Sequence, residues 1–103
     1  METAINSASN NQTQAGKMFA GVVLEQNQPN PFSQTTIIRY SMPQGMSGVI
    51  NIYDVGGSLV KSFKTNTSGQ ATVNADELKA GTYTYTLSVN GKLAATKKLV
   101  LLK

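Results

Sequence analysis

The sequence predicts an all-β domain, an antiparallel β-sandwich of about seven short strands. Stretches that alternate apolar and polar side chains recur along the chain, and turn residues separate them. The strictest alternation covers residues 82–89, where tyrosine, leucine and valine alternate with threonine and serine. The Asn90-Gly91 pair that follows is typical of a β-hairpin turn, because both residue types accept positive φ. No internal repeat of roughly 20–50 residues is apparent, so these strands are predicted to form one unit.

The beginning of the chain is polar and lacks a strand pattern. Residues 1–21 are rich in Asn, Gln, Ser, Thr and Ala and bury too little apolar surface to offset the entropy of ordering. We expect a flexible polar linker there, or a lead foreign to the natural protein, with a short helix at 15–20 as the alternative. The β-domain is predicted to span 22–103 and to begin with an edge strand or docked segment at 22–24.

A proline-rich lead-in precedes the first regular strand. Pro29 and Pro31 cannot occupy a helix interior or a central strand, because each lacks a backbone donor and has a fixed φ. Asn30 favours a turn, and Phe32 offers a large apolar face just before the alternation begins. We expect a stiff, kinked segment that pins the strand at 35–40 to a sheet edge.

The middle of the chain alternates short strands with turns. Strands are predicted at 35–40, 48–53, 58–64 and 71–73. A turn at 54–57 uses glycines for positive φ, and residues 65–70 are predicted to be a polar loop with a turn at Gly69. Residues 74–81 allow one helical turn at most, capped by Asn74 or Asp76 and ended by Gly81.

The last hairpin has two possible registers. A two-residue turn at Asn90-Gly91 sets Leu87 opposite Ala94, whereas a three-residue loop at 89–91 sets Leu87 opposite Leu93. The three-residue loop groups the apolar residues better, and a slip of one residue would invert a whole face. We therefore favour the three-residue loop, with the return strand at 92–102.

The composition argues against an enzyme. The chain of 103 residues has no cysteine and no histidine, which removes the disulfide framework, the thiolate metal site and the usual general base. Its five acidic residues are scattered and form no carboxylate pair. No apolar run is long enough to span a membrane, and residues 1–20 do not have the pattern of a signal peptide.

Three other features suggest binding functions, each with a structural explanation. The net charge of +4 is concentrated in the lysines of 92–103, which can attract anions or simply protect an edge strand. The tyrosines at 40, 53, 83 and 85 form a sugar- or peptide-binding stripe or else pack at the core edge. Asp54, Asp76 and Glu77 have the oxygen ligands of a calcium site but are too few without backbone help.

Six segments carry a resemblance to a known family. They are LEQNxPNPF at 24–32, TTIIRY at 35–40, IYDVxG at 52–57, LKAGTYTY at 78–85, NGK at 90–92 and TKKLVLLK at 96–103. In this order and spacing, residues 22–103 resemble the type A C-terminal sorting domain of type IX (Por) secretion cargo. Residues 56 and 58 depart from the pattern, since the family more often has a larger residue and then Arg or Lys there.

The resemblance implies a non-catalytic, immunoglobulin-like sandwich at the end of a larger exported protein of a Bacteroidota-type Gram-negative bacterium. Its implied partners are the type IX translocon, the outer-membrane shuttle and sortase components, and a covalently linked N-terminal cargo domain absent from this chain. The cargo passes through the periplasm, and a sortase-like peptidase commonly removes the domain at the cell surface. No cofactor, metal, nucleic acid or membrane span is implied. The alternative function is a β-sandwich binding or adhesin module for carbohydrate or protein.

The resemblance also assigns candidate residues. The recognition residues carried over from its motifs are Leu24, Asn27, Pro29, Asn30, Pro31, Phe32, Lys97, Lys98, Leu99, Val100, Leu101, Leu102 and Lys103. The structural turns are Gly57, Gly81, Asn90 and Gly91. The last strand is the strongest candidate, because apolar residues between lysines can peel off or add to a partner's sheet edge. In the other explanation, the same residues close the sandwich.

Overall fold

Two antiparallel sheets enclose the apolar core in a computed structural model, which describes residues 21–66 and 68–103. The strands are β1 Val23–Leu24, β2 Thr35–Ser41, β3 Gly48–Tyr53, β4 Leu59–Thr65, β5 Gly69–Asn74, β6 Gly81–Val89 and β7 Lys92–Leu101. The first sheet has the order β1-β2-β5 and the second the order β4-β3-β6-β7. The predicted all-β sandwich is confirmed. The proposed linker at 1–21, including the helical alternative, lies outside the described residues except for Gly21.

The predicted alternation decides which side chains form the core. In β6, Tyr83, Tyr85, Leu87 and Val89 are buried while the threonines and serine between them face outward. Ile50 and Ile52 of β3 are fully buried on the same side of this sheet, opposite Ile38 of β2 and Val73 of β5 in the other sheet. Period-two patterning therefore predicted the inner faces of these strands correctly.

The prediction that this strand lies at a sheet edge is wrong, because β2 is the central strand of its sheet. It pairs with β5 on one side and with β1 on the other. The lead-in continues the β1 side, since the main-chain N–H and C=O of Gln28 both bond Ile37. Both prolines lie before β2, so the strand keeps all its N–H donors and can be paired on both edges.

The segment between β4 and β6 is also more regular than predicted. Thr65 ends β4 and Gly69 begins β5, so both ends of the loop predicted at 65–70 belong to strands. Gly69 is not a turn residue: a Cβ there would lie 3.2 Å from the hydroxyl of Tyr40, so the glycine makes room for that ring. The helical turn is a 3₁₀ turn at Ala75–Glu77 without a side-chain cap. Gly81 does not end it but opens β6, with a φ of 154°.

The β6–β7 hairpin follows neither predicted register. Asn90 and Gly91 have φ of 51° and 83°, which makes a two-residue turn with Val89 opposite Lys92. Ser88 still lies opposite Leu93, and a bulge between Ser88 and Leu87 then shifts the ladder, so that Leu87 lies opposite Ala95. The preferred three-residue loop was wrong, because Asn90 tolerates the left-handed region and the bulge, not the loop, absorbs the extra residue.

The turn at 54–57 forms as predicted. Asp54 Oδ1 accepts hydrogen bonds from the backbone N–H groups of Gly56 and Ser58. Of the two glycines only Gly57 has a positive φ, of 90°.

In the described ranges no helix is long and apolar enough to cross a membrane.

Candidate functional site

The lead-in and the last strand, which carry most of the predicted site residues, lie side by side. Phe32 and Leu101 form a parallel bridge. The N–H of Phe32 donates to the carbonyl oxygen of Val100 at 3.0 Å, and the N–H of Leu102 donates to the carbonyl oxygen of Phe32 at 2.8 Å. We call residues 25–32 the lead-in, and we call its contact with residues 98–102 the seam.

Two side-chain amides extend the seam beyond the bridge. Asn30 Oδ1 accepts a hydrogen bond from the backbone N–H of Val100 at 2.9 Å. Gln26 Nε2 donates to the carbonyl oxygen of Lys98 at 2.5 Å. The amides therefore act where the main chain of a neighbouring strand would normally bond.

A buried amide fixes the shape of the lead-in. Asn27 is 1% exposed, and its Nδ2 donates to the carbonyl oxygen of Pro29 and to Thr36 Oγ1 at 3.1 and 3.0 Å. Its Oδ1 accepts from Gln26 Nε2 at 2.7 Å. The Thr36 hydroxyl in turn donates to the carbonyl oxygen of Pro29 at 2.7 Å. Each polar group of the Asn27 side chain is thus satisfied, as burial requires.

The hydroxyl of Tyr85 attaches the lead-in to β6. It accepts a hydrogen bond from the N–H of Asn27 at 2.8 Å and donates to the carbonyl oxygen of Glu25 at 2.7 Å. Burial raises the pKa of Tyr85 to about 12, while the hydrogen bond from Asn27 acts in the opposite direction. The neutral hydroxyl is therefore the form that links the two segments at ordinary pH.

Apolar side chains anchor both partners of the seam. Leu24 of β1, Phe32 of the lead-in, and Leu99 and Leu101 of β7 belong to one buried cluster. Pro29, Asn30 and Pro31 lie at the surface between them, and both peptide bonds preceding the prolines are cis. The predicted recognition residues thus include four that serve the core directly.

The outer side of the seam is basic and partly apolar. Lys98, Leu102 and Lys103 are exposed, and Lys97 and Val100 are half-buried. Leu102 is 55% exposed. The ion pair found in the described part of the chain joins Lys61 to Glu77, so these lysines face solvent without a carboxylate of the described residues.

Comparison with family models identifies the domain. The model for the secretion system C-terminal sorting domain matches residues 28–102. The chain belongs to this family. The match includes Asn30, Phe32 and all of β7, whereas Leu24, Asn27 and Lys103 lie outside it. A search of curated proteins finds no match to the chain.

The predicted structural turns of the sorting domain lie outside the seam contacts. Gly57 lies in the β3–β4 turn, and Asn90 and Gly91 form the hairpin turn beyond the bulge. Gly81 begins β6 opposite Leu101. These residues shape the strands that carry the seam and do not contribute side chains to it.

The aromatic stripe and the calcium site considered from the sequence do not form in the structure. Tyr83 and Tyr85 are buried, so they cannot belong to a solvent-facing aromatic row. Asp54 Oδ1 bonds its own turn, and Glu77 pairs with Lys61. Within 21–66 and 68–103 no group of three acidic side chains is arranged to hold a metal ion. The tyrosine stripe and the calcium site therefore gain no support from the geometry.

Sequence reasoning does not single out three residues that form or support the sorting domain's seam. Gln26 lies in the family's motif without a predicted role. Thr36 is predicted only as a strand residue, and Tyr85 only as part of an aromatic stripe or of the core edge. Thr36 did carry a signal, because it is a polar residue on the inward face that also carries Ile38. A hydroxyl on an inward face indicates a buried hydrogen-bond partner.

Proposed function

We propose that this sorting domain is a non-catalytic address label for type IX secretion, which directs a cargo linked to its N-terminal side across the outer membrane. The family match supports this function more than any other observation. The geometry is compatible with a binding role, because the last strand presents charged and apolar side chains on a closed, hydrogen-bonded support.

The proposed recognition surface is the exposed part of residues 97–103. Lys98 and Lys103 suit a partner with acidic groups, and Leu102 offers an apolar side chain to a pocket. Leu99 and Leu101 are buried, so we assign them to the support of this surface. In this proposal the partner is a component of the translocon or its outer-membrane shuttle.

A secretion assay tests the function. The whole chain is fused behind a fluorescent protein that is targeted to the periplasm of a strain with type IX machinery, and the exported fraction is measured. Leu102→Ala is the diagnostic variant and Leu59→Ala its matched control, since both leucines are 55% exposed but Leu59 lies on β4 at the opposite edge of the sheet. Removal of 97–103 is less informative because it also takes Leu99 and Leu101 from the core.

We expect export of the parent fusion and of the Leu59 control, and a several-fold loss for Leu102→Ala. Periplasmic retention of a folded parent fusion would contradict the sorting function. Equal export of the two leucine variants would contradict recognition at the last strand.

We further propose that a sortase-like peptidase removes the domain by cutting in the polar stretch before Val22. This stretch resembles the exposed, polar segments at which proteases act. Mass spectrometry of the released products should map the new terminus before Val22. A cut mapped inside 22–103 of the folded domain would contradict this proposal.

A further inference from the structure

The end of β7 has the hydrogen bonds of a paired strand on its outer edge, although none of the strands in 21–66 and 68–103 pairs with it there. In the β6–β7 ladder, Thr82 lies opposite Val100 and Thr84 opposite Lys98. On the side that faces away from β6, the lead-in bonds the carbonyl oxygen of Lys98, both main-chain groups of Val100 and the N–H of Leu102. Phe32 bonds Val100 and Leu102 through its main chain, whereas Asn30 and Gln26 bond Val100 and Lys98 through their side chains.

The side chains of Gln26 and Asn30 are not needed to fill the core. Gln26 and Asn30 are both exposed. The bonds that shape the lead-in come mainly from Asn27, Thr36 and Tyr85, and Gln26 Nε2 adds one to Asn27 Oδ1. An exposed amide can bond water equally well, so its contact with β7 adds little to stability. What these contacts do is fix the position of the strand that ends at Leu101.

We propose that Gln26 and Asn30 are positioning residues for recognition of the last strand. Their amides hold the main chain at Lys98 and Val100, so that Lys98, Leu102 and Lys103 are presented to an acidic partner in one fixed arrangement. This inference rests on the proposed sorting function and deepens it. It also specifies the contact: the partner reads side chains, because the lead-in already occupies this edge from the carbonyl oxygen of Lys98 to the N–H of Leu102.

Two physical consequences favour such an arrangement. A strand that is already ordered loses less conformational entropy when a partner binds it. An open strand edge pairs with unrelated chains, and covering the edge prevents this. The amides achieve both effects without adding apolar surface.

The test compares substitutions that have the same charge and opposite hydrogen-bonding capacity. Asn30→Asp keeps an oxygen that accepts from the N–H of Val100, whereas Asn30→Ala removes it. Gln26→Glu adds the same charge as Asn30→Asp but replaces the donor with an acceptor, which then faces the carbonyl oxygen of Lys98 and Asn27 Oδ1. All variants are made in the full-chain fusion for export and in the full chain for amide exchange.

We expect the amide of Val100 to exchange about five- to tenfold faster in Asn30→Ala, because that variant loses one hydrogen bond. In Asn30→Asp the hydrogen bond is kept, so the amide should exchange at nearly the parent rate. Export should fall in Asn30→Ala and Gln26→Glu and should be preserved in Asn30→Asp. Rescue by aspartate separates positioning from a general loss of stability, and Gln26→Glu separates it from a charge effect.

The outcomes distinguish this proposal from the sorting function. If Asn30→Ala exchanges faster at Val100 but is exported as well as the parent, the positioning role is overturned and the sorting function stands. If Asn30→Asp behaves like Asn30→Ala in both measurements, the hydrogen bond is not the cause and the proposal fails. If the folded parent is not exported, the sorting function fails, and the positioning role falls with it.

Discussion

The last strand β7 is held along its two edges in different ways. Toward β6 it forms a continuous antiparallel ladder that runs from Gly81 opposite Leu101 to Val89 opposite Lys92, with one bulge. Toward the lead-in it forms one parallel bridge at Phe32 and two bonds to side-chain amides. The first edge joins neighbours in sequence, whereas Asn30 and Val100 are 70 positions apart.

The difference between the two edges shows where single side chains matter for stability. The ladder distributes its stability over many equivalent main-chain bonds, so that most single side chains outside the core can change with little effect. The seam depends on a few side chains with specific atoms: the ring of Phe32 and the amide of Asn27 within it, and the hydroxyl of Tyr85, which supports it from β6. Substitutions of these three residues should therefore lower the free energy of unfolding more than substitutions in the hairpin turn.

Loss of the Phe32 ring, the apolar anchor of the lead-in, should lower the free energy of unfolding most. Phe32 is 2% exposed, so Phe32→Ala should lower the free energy of unfolding by about 3–5 kcal/mol, as large-to-small changes of buried aromatics do. Urea denaturation measures this, with Val55→Ala as the control because Val55 is 93% exposed. A loss below about 1 kcal/mol would show that the anchor is not part of the cooperative core.

Loss of the Tyr85 hydroxyl should have the next largest effect. Tyr85→Phe removes the partner of both the Asn27 N–H and the Glu25 carbonyl oxygen, and a buried group left without its partner costs about 1–3 kcal/mol. Tyr53→Phe is the matched control, since the hydroxyl of half-buried Tyr53 accepts a bond from Asn51 and its loss should cost less than about 0.5 kcal/mol. Equal losses in the two variants would contradict a special role for Tyr85.

The same hydroxyl predicts a pH dependence. The folded state keeps Tyr85 protonated up to its raised pKa of about 12, while in the unfolded chain the hydroxyl ionises near its ordinary pKa of about 10. Between these values the unfolded state binds fewer protons, so this contribution to stability falls as the pH rises and is fully present below about pH 10. The decline of stability between pH 10 and 12 should be steeper in the parent than in Tyr85→Phe. Parallel declines would refute the burial of this hydroxyl.

The hairpin turn should give the smallest effect. Asn90 has a φ of 51° and accepts a hydrogen bond from the N–H of Ser47, so Asn90→Ala should cost about 1–2 kcal/mol through the left-handed backbone. Asn90→Gly removes the same side chain without that backbone penalty and should cost less. If Asn90→Ala destabilised more than Phe32→Ala, the ladder and not the seam would be the sensitive edge.

The sequence predicted the ladder side well and the seam side poorly, for physical reasons. Alternation in β3 and β6 identified their inward faces, and Asn90-Gly91 identified the hairpin. The register of that hairpin was predicted wrongly because the bulge between Leu87 and Ser88 has no residue signature. The edge position expected for β2 was also wrong, because the possible edge strand at 22–24 had no predicted partner and nothing in 25–28 indicated pairing.

The seam could not be predicted from periodicity at all. Gln26 and Asn30 are exposed and follow no strand pattern, and the groups that they bond belong to the main chain of β7, which any residue supplies. The resemblance named both segments as candidates but said nothing of their contact. Only Thr36, as a hydroxyl on an inward face, gave a sign that a polar partner had to be buried nearby.

Native-state amide exchange of the unsubstituted chain is the most direct test of the seam. The N–H groups of Thr96, Lys98, Val100 and Leu102 lie on the same edge of β7, away from β6. Val100 and Leu102 bond the lead-in, whereas the described residues offer no acceptor to Thr96 and Lys98. We expect slow exchange at Val100 and Leu102 and fast exchange at Thr96 and Lys98. Equally fast exchange at all four positions would contradict the attachment of the last strand to the lead-in.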